Sequence, residues 1–573
     1  MQPKSIFSQL AFCLLVCLLP IYQAAASTSD TLVVRPHFYH IDYHKKLILV
    51  NQNLDELNSE SNQPKKYLLL DSLYDFQQVS TQVQTNTSYQ VKLANVAYTL
   101  YFTQLPVVHV SAKRPIVDAP SVYAQFSLAD TTGRFMTANT GIEIRGGASQ
   151  GFPKKSYELS FWADTVGLTS QDVQFGTMRT ADKWNLQAMY NEPLRIRSKS
   201  ANELWQEMDT LYYHAAEPDA KSGIATTYTE LFLNGEYAGV YQLAERIDRK
   251  QLKLKKYNKG IVGELYKGVD WGGAVTFTGL PAFYNTSETW GGFEYKYPDE
   301  KIDWTALYDF VNFVENSSNQ TFFQTYRQRF NLANAVDYYI FLNVVRATDN
   351  TGKNLYVARY KAGEPYYYVP WDLDGVFGTN YAGQNDPTTT GLLSNGFYDR
   401  LRQDCSPTGF GATLQRRWAQ LRKTVLAESH ILGKFQQHTA YLRSNNVYER
   451  EKLTWSAFTD DAAQTVYMTN WLHNRLSYLD GEFANPCPTI TAVASAQEKG
   501  NHCYPNPAKE VLHVEHEATA SELVIRDLLG KTVVQVGLTG TRTSVDMRSV
   551  APGMYLVTIS SKNASQTQKL IVE

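Results

Sequence analysis

Arg346-Ala-Thr-Asp349-Asn-Thr-Gly-Lys353-Asn354-Leu-Tyr-Val357 and, just beyond it, Tyr368-Val-Pro-Trp371-Asp372-Leu-Asp374-Gly375-Val-Phe-Gly378 decide how this chain is read. Asp349, Asn354, Asp372 and Asp374 fall in that order within this span. Each acid stands where an apolar run gives way to Gly or Asn. An acid at the end of a strand or helix is fixed by the scaffold and still reaches solvent, as a metal ion or a reacting phosphate requires.

Working outward, the apolar pattern from Asn331 predicts a helix to about Ala347, ending just before Asp349. Asn354 follows five positions later, before the strand Leu355-Tyr-Val. Asp372 ends the apolar strand Tyr367-Tyr-Val-Pro-Trp, and Asp372 and Asp374 share a face if that strand continues. Oxygen ligands in this pattern suit Mg²⁺ or Mn²⁺ with bound phosphates. The order Asp, four residues, Asn, then a later Asp is the order used in phosphoryl transfer by protein kinases. The competing reading is plain structure: Asp374-Gly375 is a turn signal, and Asp349-Asn350 fits a loop that ends a helix.

Upstream, Arg145-Gly-Gly-Ala-Ser-Gln-Gly-Phe-Pro-Lys154-Lys155-Ser-Tyr-Glu-Leu places a Gly-rich loop before a lysine-bearing strand. Glycine amides approach phosphates closely and a strand lysine can pair with them. Alternation puts Lys155 with Tyr157 and Leu159 on the more apolar face, and Lys154 with Ser156 and Glu158 on the other. Lys155 is therefore preferred as the phosphate clamp, with a solvated lysine pair as the alternative. Glu203 or Glu207, on a helix expected near 196–208, would partner such a lysine, and Arg195 and Arg197 would grip phosphate. Glu245, at the end of a hairpin, and Lys267, after the strand Glu264-Leu-Tyr, would line a nucleotide site. No HExxH, Walker A or GxSxG pattern occurs, and the eleven His lack zinc spacing, which excludes a zinc hydrolase or a nucleophile-elbow Ser enzyme.

The remaining chain sets the domain plan. Its 573 residues exceed one ordinary domain. The net charge of -2 gives no basic field for nucleic acid. Residues 1–26 read as a signal peptide: Lys4, the apolar run from Leu10 to Tyr22, then Ala24-Ala-Ala26-Ser27. No later run is long enough for a transmembrane helix in the mature chain. Residues 27–103 read as a β-rich accessory domain and 104–483 as an α+β domain, strands first and helices after. Within the latter, Asn234-Gly235 marks a hairpin. Helices are expected after Asp303 and near 411–426, 428–443 and 460–480. Residues 484–503 read as a linker holding Cys503, and 504–573 as a compact β module. Cys405 and Cys487 are candidates to pair in an oxidising compartment.

The motifs Arg145-Gly-Gly-Ala-Ser-x-x-Phe-Pro-Lys-Lys-Ser-Tyr, Leu233-Asn-Gly-Glu-Tyr-x-Gly-Val-Tyr-x-Leu-x-Glu-Arg-Ile-Asp, Leu265-Tyr-Lys-Gly, Asp349-Asn-x-x-Lys-Asn and Pro370-Trp-Asp-Leu-Asp-Gly-x-Phe-Gly occur in one order. Together they resemble the CotH (spore coat protein H) kinase family over roughly residues 104–483. The resemblance implies a two-lobed atypical protein-kinase-like fold that uses ATP with Mg²⁺ or Mn²⁺ to phosphorylate Ser on secreted or surface proteins. It implies Asp349 as the catalytic Asp, Asp372 and Asn354 as metal ligands, and Asp374 as a further member of the metal motif. Arg145, Lys155, Lys267 and Glu245 are the expected nucleotide contacts. Tyr504-Pro-Asn-Pro-Ala, Asp527-Leu-Leu-Gly-Lys and Gly553-Met-Tyr-Leu-Val resemble the type A C-terminal sorting domain of type IX secretion. That resemblance implies the type IX machinery as a partner and export through the periplasm and across the outer membrane. A surface adhesin on the same fold without turnover, and a glycoside hydrolase using Asp372 or Asp349, are the alternatives.

Overall fold

The structure is a computed structural model that describes residues 30–59, 62–258, 263–487, 501–516, 519–561 and 565–573. The signal-peptide reading lies outside these residues, as does most of the linker. The chain divides into two compact units, Met1–Cys487 and Pro488–Glu573.

In the first unit, seven strands between Thr31 and Phe102 form one sheet around Leu32, Ile48, Leu68, Val91 and Leu100. The sheet is fastened to the rest of the unit. Asp42 accepts from the Tyr237 amide at 2.8 Å, and Asn51 Nδ2 donates to the Ala129 carbonyl at 2.8 Å.

Next comes a closed barrel of Phe135–Arg145, Ser156–Trp162, Lys183–Gln187, Glu236–Ala244, Thr226–Leu233, Val107–Ala112 and Val122–Ala129, in that neighbour order. The Asn234-Gly235 turn joins two of these strands, with Asn234 and Gly235 both at positive φ as a tight hairpin demands. Alternation sends Tyr157, Leu159, Trp184, Leu186, Tyr241 and Leu243 into the barrel core. The same alternation turns Ser156, Glu158, Asn185 and Gln187 outward.

A five-stranded sheet follows, in the order Thr289–Trp290, Phe293–Tyr297, Glu264–Gly268, Leu355–Arg359, Tyr366–Pro370. Three of its strands, Glu264–Gly268, Leu355–Arg359 and Tyr366–Pro370, fall where the sequence placed strands, and Thr289–Trp290 and Phe293–Tyr297 add two more. Helices Thr305–Asn316, Asn319–Arg329, Leu332–Val345, Gly396–Leu401, Phe410–Leu421, Glu428–Ser444 and Ala462–Ala484 make up the helical part, while Val447–Thr454 packs against the barrel strand Glu236–Ala244. Leu332–Val345 is the central one: every residue from Asn334 to Val345 is buried, and Asn331 caps it by accepting from the Asn334 amide. Arg346 takes a left-handed conformation (φ 53°) and ends it. Cys405 and Cys487 form a disulfide.

The second unit has a three-stranded sheet (His502–Tyr504, Val511–Glu515, Arg542–Asp546) and a four-stranded one (Thr532–Gly537, Ala520–Asp527, Gly553–Ser561, Ser565–Val572). Leu512, Leu523, Ile525, Val557, Ile559 and Leu570 fill its core. Cys503 lies in the first of these strands rather than in a linker, half-buried as a free thiol.

Candidate active site

The outward face of the barrel, the Gly-rich loop and the two acidic stretches enclose a cavity of about 730 Å³. Arg145, Lys267, Asp349, Asn354, Asp372 and Asp374 all line it.

The acidic wall is built locally. After Arg346 the chain makes a short 3-10 turn, Thr348–Thr351, which carries Asp349. Lys353 donates its amide to the Asp349 carbonyl at 2.8 Å, and the Asn354 amide donates to the Gly268 carbonyl at 3.1 Å. Asn354 and Asp372 both hold positive φ, 53° and 56°. Asp372 therefore does not continue the strand, which ends at Pro370. The expectation that Asp372 and Asp374 share a strand face fails for that reason. Asn350, buried and overlooked in the sequence, ties the stretches together: its Nδ2 donates to the Asn354 and Trp371 carbonyls. The Trp371 amide returns a bond to the Asn354 carbonyl at 3.0 Å. Asn334, on the central helix, brackets Tyr368 by accepting from its amide (2.7 Å) and donating to its carbonyl (3.0 Å).

Three carboxylates in one wall repel one another. Burial and then Asp372 push Asp374 well above the usual carboxylate range. Burial also raises Asp349, with Asp372 adding to the shift and Lys353 opposing it. Among the described residues no three His, Cys, Asp or Glu converge into a protein-only metal cage. The Asp and Asn oxygens here are hard donors of the kind a divalent ion such as Mg²⁺ would accept.

Cations line the same cavity. Arg145, Lys267 and Lys353 have no ion-pair partner among the described residues, and Arg145 lies 5.6 Å over the Trp371 ring. Burial, then Lys296, lowers the pKa of Lys267, with Arg145 adding to the shift. Crowded cations that disfavour their own charge suit an anion such as phosphate. Gly146, at φ 108°, lets the Gly-rich loop turn in a way an L side chain resists, and a Cβ there would collide with Ser149 Oγ.

The structure corrects several expected contacts. Lys155 is not in the cavity wall; its Nζ donates to the Gln150 carbonyl. Lys154 lines the cavity instead, because the apolar face of this strand belongs to the barrel core and the polar face to the cavity. Lys154 Nζ pairs with Glu451 Oε1 at 2.7 Å and donates to the Val240 carbonyl at 2.6 Å. Burial lowers its pKa to about 8. Glu203 and Glu207 are not its partners; they pair with Lys199, His438, Lys434 and His430 on the helical side. Arg195 is buried against Glu451, and Arg197 against Glu192, so neither reaches the cavity. Glu245 is fully buried and accepts from the Arg179 and Ala225 amides, a structural role. Its neighbour Arg246 lines the cavity, paired with Glu158.

Acidic and basic side chains line one cavity on a mixed α/β scaffold that carries a separate β module. A family model described as CotH kinase protein matches residues 142–479, more than half of the chain, and the chain belongs to that family. A second, the Secretion system C-terminal sorting domain, matches residues 502–573 and marks the chain for type IX secretion to the cell surface. Inner spore coat protein H of Bacillus subtilis (strain 168) is 26% identical over 247 residues, which is 42% of this chain. The chain spans 60% of that relative's length. Among the described residues no helix is long and apolar enough to cross a membrane.

Proposed function

We propose that the protein is an exported kinase that transfers the γ-phosphate of ATP to a Ser hydroxyl of secreted or surface proteins. One observation carries this reading: Asp349, Asn354, Asp372 and Asp374 line the same cavity as Arg145, Lys154, Lys267 and Lys353. A sugar-cleaving site needs the carboxylates but has no use for the four cations that line the cavity with them. The barrel with its Gly-rich loop would form one lobe, and the helix-rich wall the other.

Asp349 would orient the acceptor hydroxyl and take its proton as the oxygen bonds to the γ-phosphorus and the bond to the β–γ bridging oxygen breaks. Its raised pKa suits a base. Asp372 and Asn354 would hold Mg²⁺ or Mn²⁺, with Asp374 beside them, and the bound ion would neutralise phosphate charge. Lys154 would clamp the phosphates, positioned by Glu451, and Arg145, Lys267 and Lys353 would hold the remaining oxygens. Positioning and charge neutralisation supply most of such catalysis.

The test is incorporation of label from γ-labelled ATP by the purified mature protein, across Mg²⁺ and Mn²⁺. Wild type should label itself or a co-incubated surface-protein fraction, and Asp349→Ala should lose about a hundredfold or more. Equal labelling by the two proteins sinks the kinase reading.

A further inference from the structure

Asn185 stands out on the barrel wall. In register it lies between Glu158 on one neighbouring strand and Ala244 on the other. Trp184 and Leu186 on either side point into the barrel core, so Asn185 points the other way and lines the cavity. It is 1% exposed, yet neither Oδ1 nor Nδ2 has a hydrogen-bond partner among the described residues. The polar groups around it are committed elsewhere. Glu158 is paired with Arg246, and Ser156 Oγ accepts from the Ala188 amide. Gln242, the other unpartnered amide of this wall, is fully buried and does not reach the cavity.

Buried amides in native proteins are almost always satisfied, so one left open at a cavity surface marks where a ligand's polar edge belongs. An amide presents one donor beside one acceptor and pairs with an edge that presents the same two in reverse. The faces lining the same cavity are flat and aromatic: Tyr356 and Trp371, with rings 6.0 Å apart. The free cations Arg145 and Lys267 are associated with this part of the wall, since Lys267 pairs directly with Tyr356 across the sheet and Arg145 covers Trp371. A planar group with a donor–acceptor edge, joined to an anion, is a nucleotide.

We infer that Asn185 reads the base of the bound nucleotide, its amide hydrogen-bonding the edge of adenine where the 6-amino group lies beside a ring nitrogen. The inference rests on the nucleotide-binding reading of the cavity and adds the residue that sets base preference. Asn185 acts only on the ground-state ligand, so it changes affinity and base choice rather than the transfer step.

The experiment measures binding to the whole protein with Mn²⁺, by calorimetry. The ligands are ATP, the purine ribonucleoside triphosphate lacking the 6-amino group, and inorganic tripolyphosphate. Wild type should prefer ATP over the deaminated analogue by roughly fivefold, the factor that the one ordinary neutral hydrogen bond lost with the 6-amino group supplies. Asn185→Leu should bind both nucleotides alike and leave tripolyphosphate affinity unchanged. Its ligand-free melting temperature should be equal or higher, since an unpartnered buried amide has been replaced by an apolar group of similar size. Retention of the ATP preference by Asn185→Leu overturns the inference, and so does a marked fall in ligand-free melting temperature, which would make the amide structural. Wild type that binds ATP without preferring it over the analogue removes the Asn185 role alone. Wild type that binds neither ATP nor tripolyphosphate removes the nucleotide reading itself.

Discussion

Lys154 and Glu451 are two ends of one ion pair, and the surroundings predict opposite consequences for removing them. Lys154, Arg195, Arg450, Glu230 and Glu451 are all at most 1% exposed. Glu451 holds Lys154 at 2.7 Å and Arg195 at 3.1 Å, while Arg450 pairs with Glu230. Three cations thus share two anions with almost no surface exposed. The surplus charge is expressed at Lys154, whose pKa falls from 10.5 to about 8, through burial first and with Arg195 adding to it. That interval corresponds to about 3 kcal/mol of cost for keeping Lys154 charged at neutral pH, to order of magnitude. Lys154→Met removes the cost along with two hydrogen bonds of about 1 kcal/mol each. It should leave stability unchanged or raise it by about 1 kcal/mol, while abolishing phosphoryl transfer. Glu451→Gln keeps the shape but leaves Lys154 and Arg195 without a counter-ion, and should cost about 3–5 kcal/mol.

Urea unfolding followed by tryptophan fluorescence measures this directly. All ten Trp precede Cys487, so the signal reports the first unit alone. The pH dependence has a fixed sign. Between about 8 and 10.5 the unfolded chain binds more protons at Lys154 than the folded one does, so wild-type stability rises through that window relative to Lys154→Met. If Lys154→Met loses as much stability as Glu451→Gln, the lysine is a strut, and its assignment as a phosphate clamp loses its basis.

Three further outcomes are expected. Asp372→Asn should abolish metal-dependent nucleotide binding in calorimetry without lowering the melting temperature, because it relieves the repulsion that raises Asp374 and Asp349. Asp209 is buried, with its carboxyl raised to about 7 by burial and then by Asp337, so it weakens the fold progressively as pH rises from about 4 to about 7. Asp209→Asn should therefore stabilise the first unit at pH 8 by on the order of 2–4 kcal/mol, and not at pH 4, in the same unfolding assay. The Cys405–Cys487 bridge closes a loop with a sequence separation of 82. Replacing both cysteines by Ala should cost up to about 4 kcal/mol in denaturant unfolding.

What the sequence made legible was local. Asn234-Gly235 requires positive φ, and the hairpin is there. Asn331 caps the central helix, and the helix stops where its apolar run stops. The acid–amide spacing from Asp349 to Asn354 brought these residues into one cavity with Asp372 and Asp374. What escaped was non-local. Choosing Lys155 over Lys154 assumed that a functional lysine keeps company with apolar neighbours, but a closed barrel reserves its apolar face for its own core. Glu451 lies 297 residues beyond Lys154, in Glu449-Arg450-Glu451-Lys452, a run that looks like the solvated side of a helix. Nothing in that run announces burial. Asn185 sits between two core residues with no motif around it, and only the strand register gives it meaning.

The disulfide has a mechanical consequence. The helix Ala462–Ala484 runs directly into Cys487, which is also the last residue of the first unit. Along that helix, Tyr467 donates to the Gly378 carbonyl at 2.7 Å, and Trp471 packs where a Cβ on Gly378 would stand. Arg475 holds the Asn343, Thr389 and Gly391 carbonyls. The loop leaving Asp372 and Asp374 therefore leans on this helix. Tension on the polypeptide beyond Cys487, whether from threading through a secretion channel or from tethering at a surface, reaches a covalent anchor on the Cys405 loop before it reaches the helix. The acidic wall of the cavity is insulated from the segment that carries the sorting module.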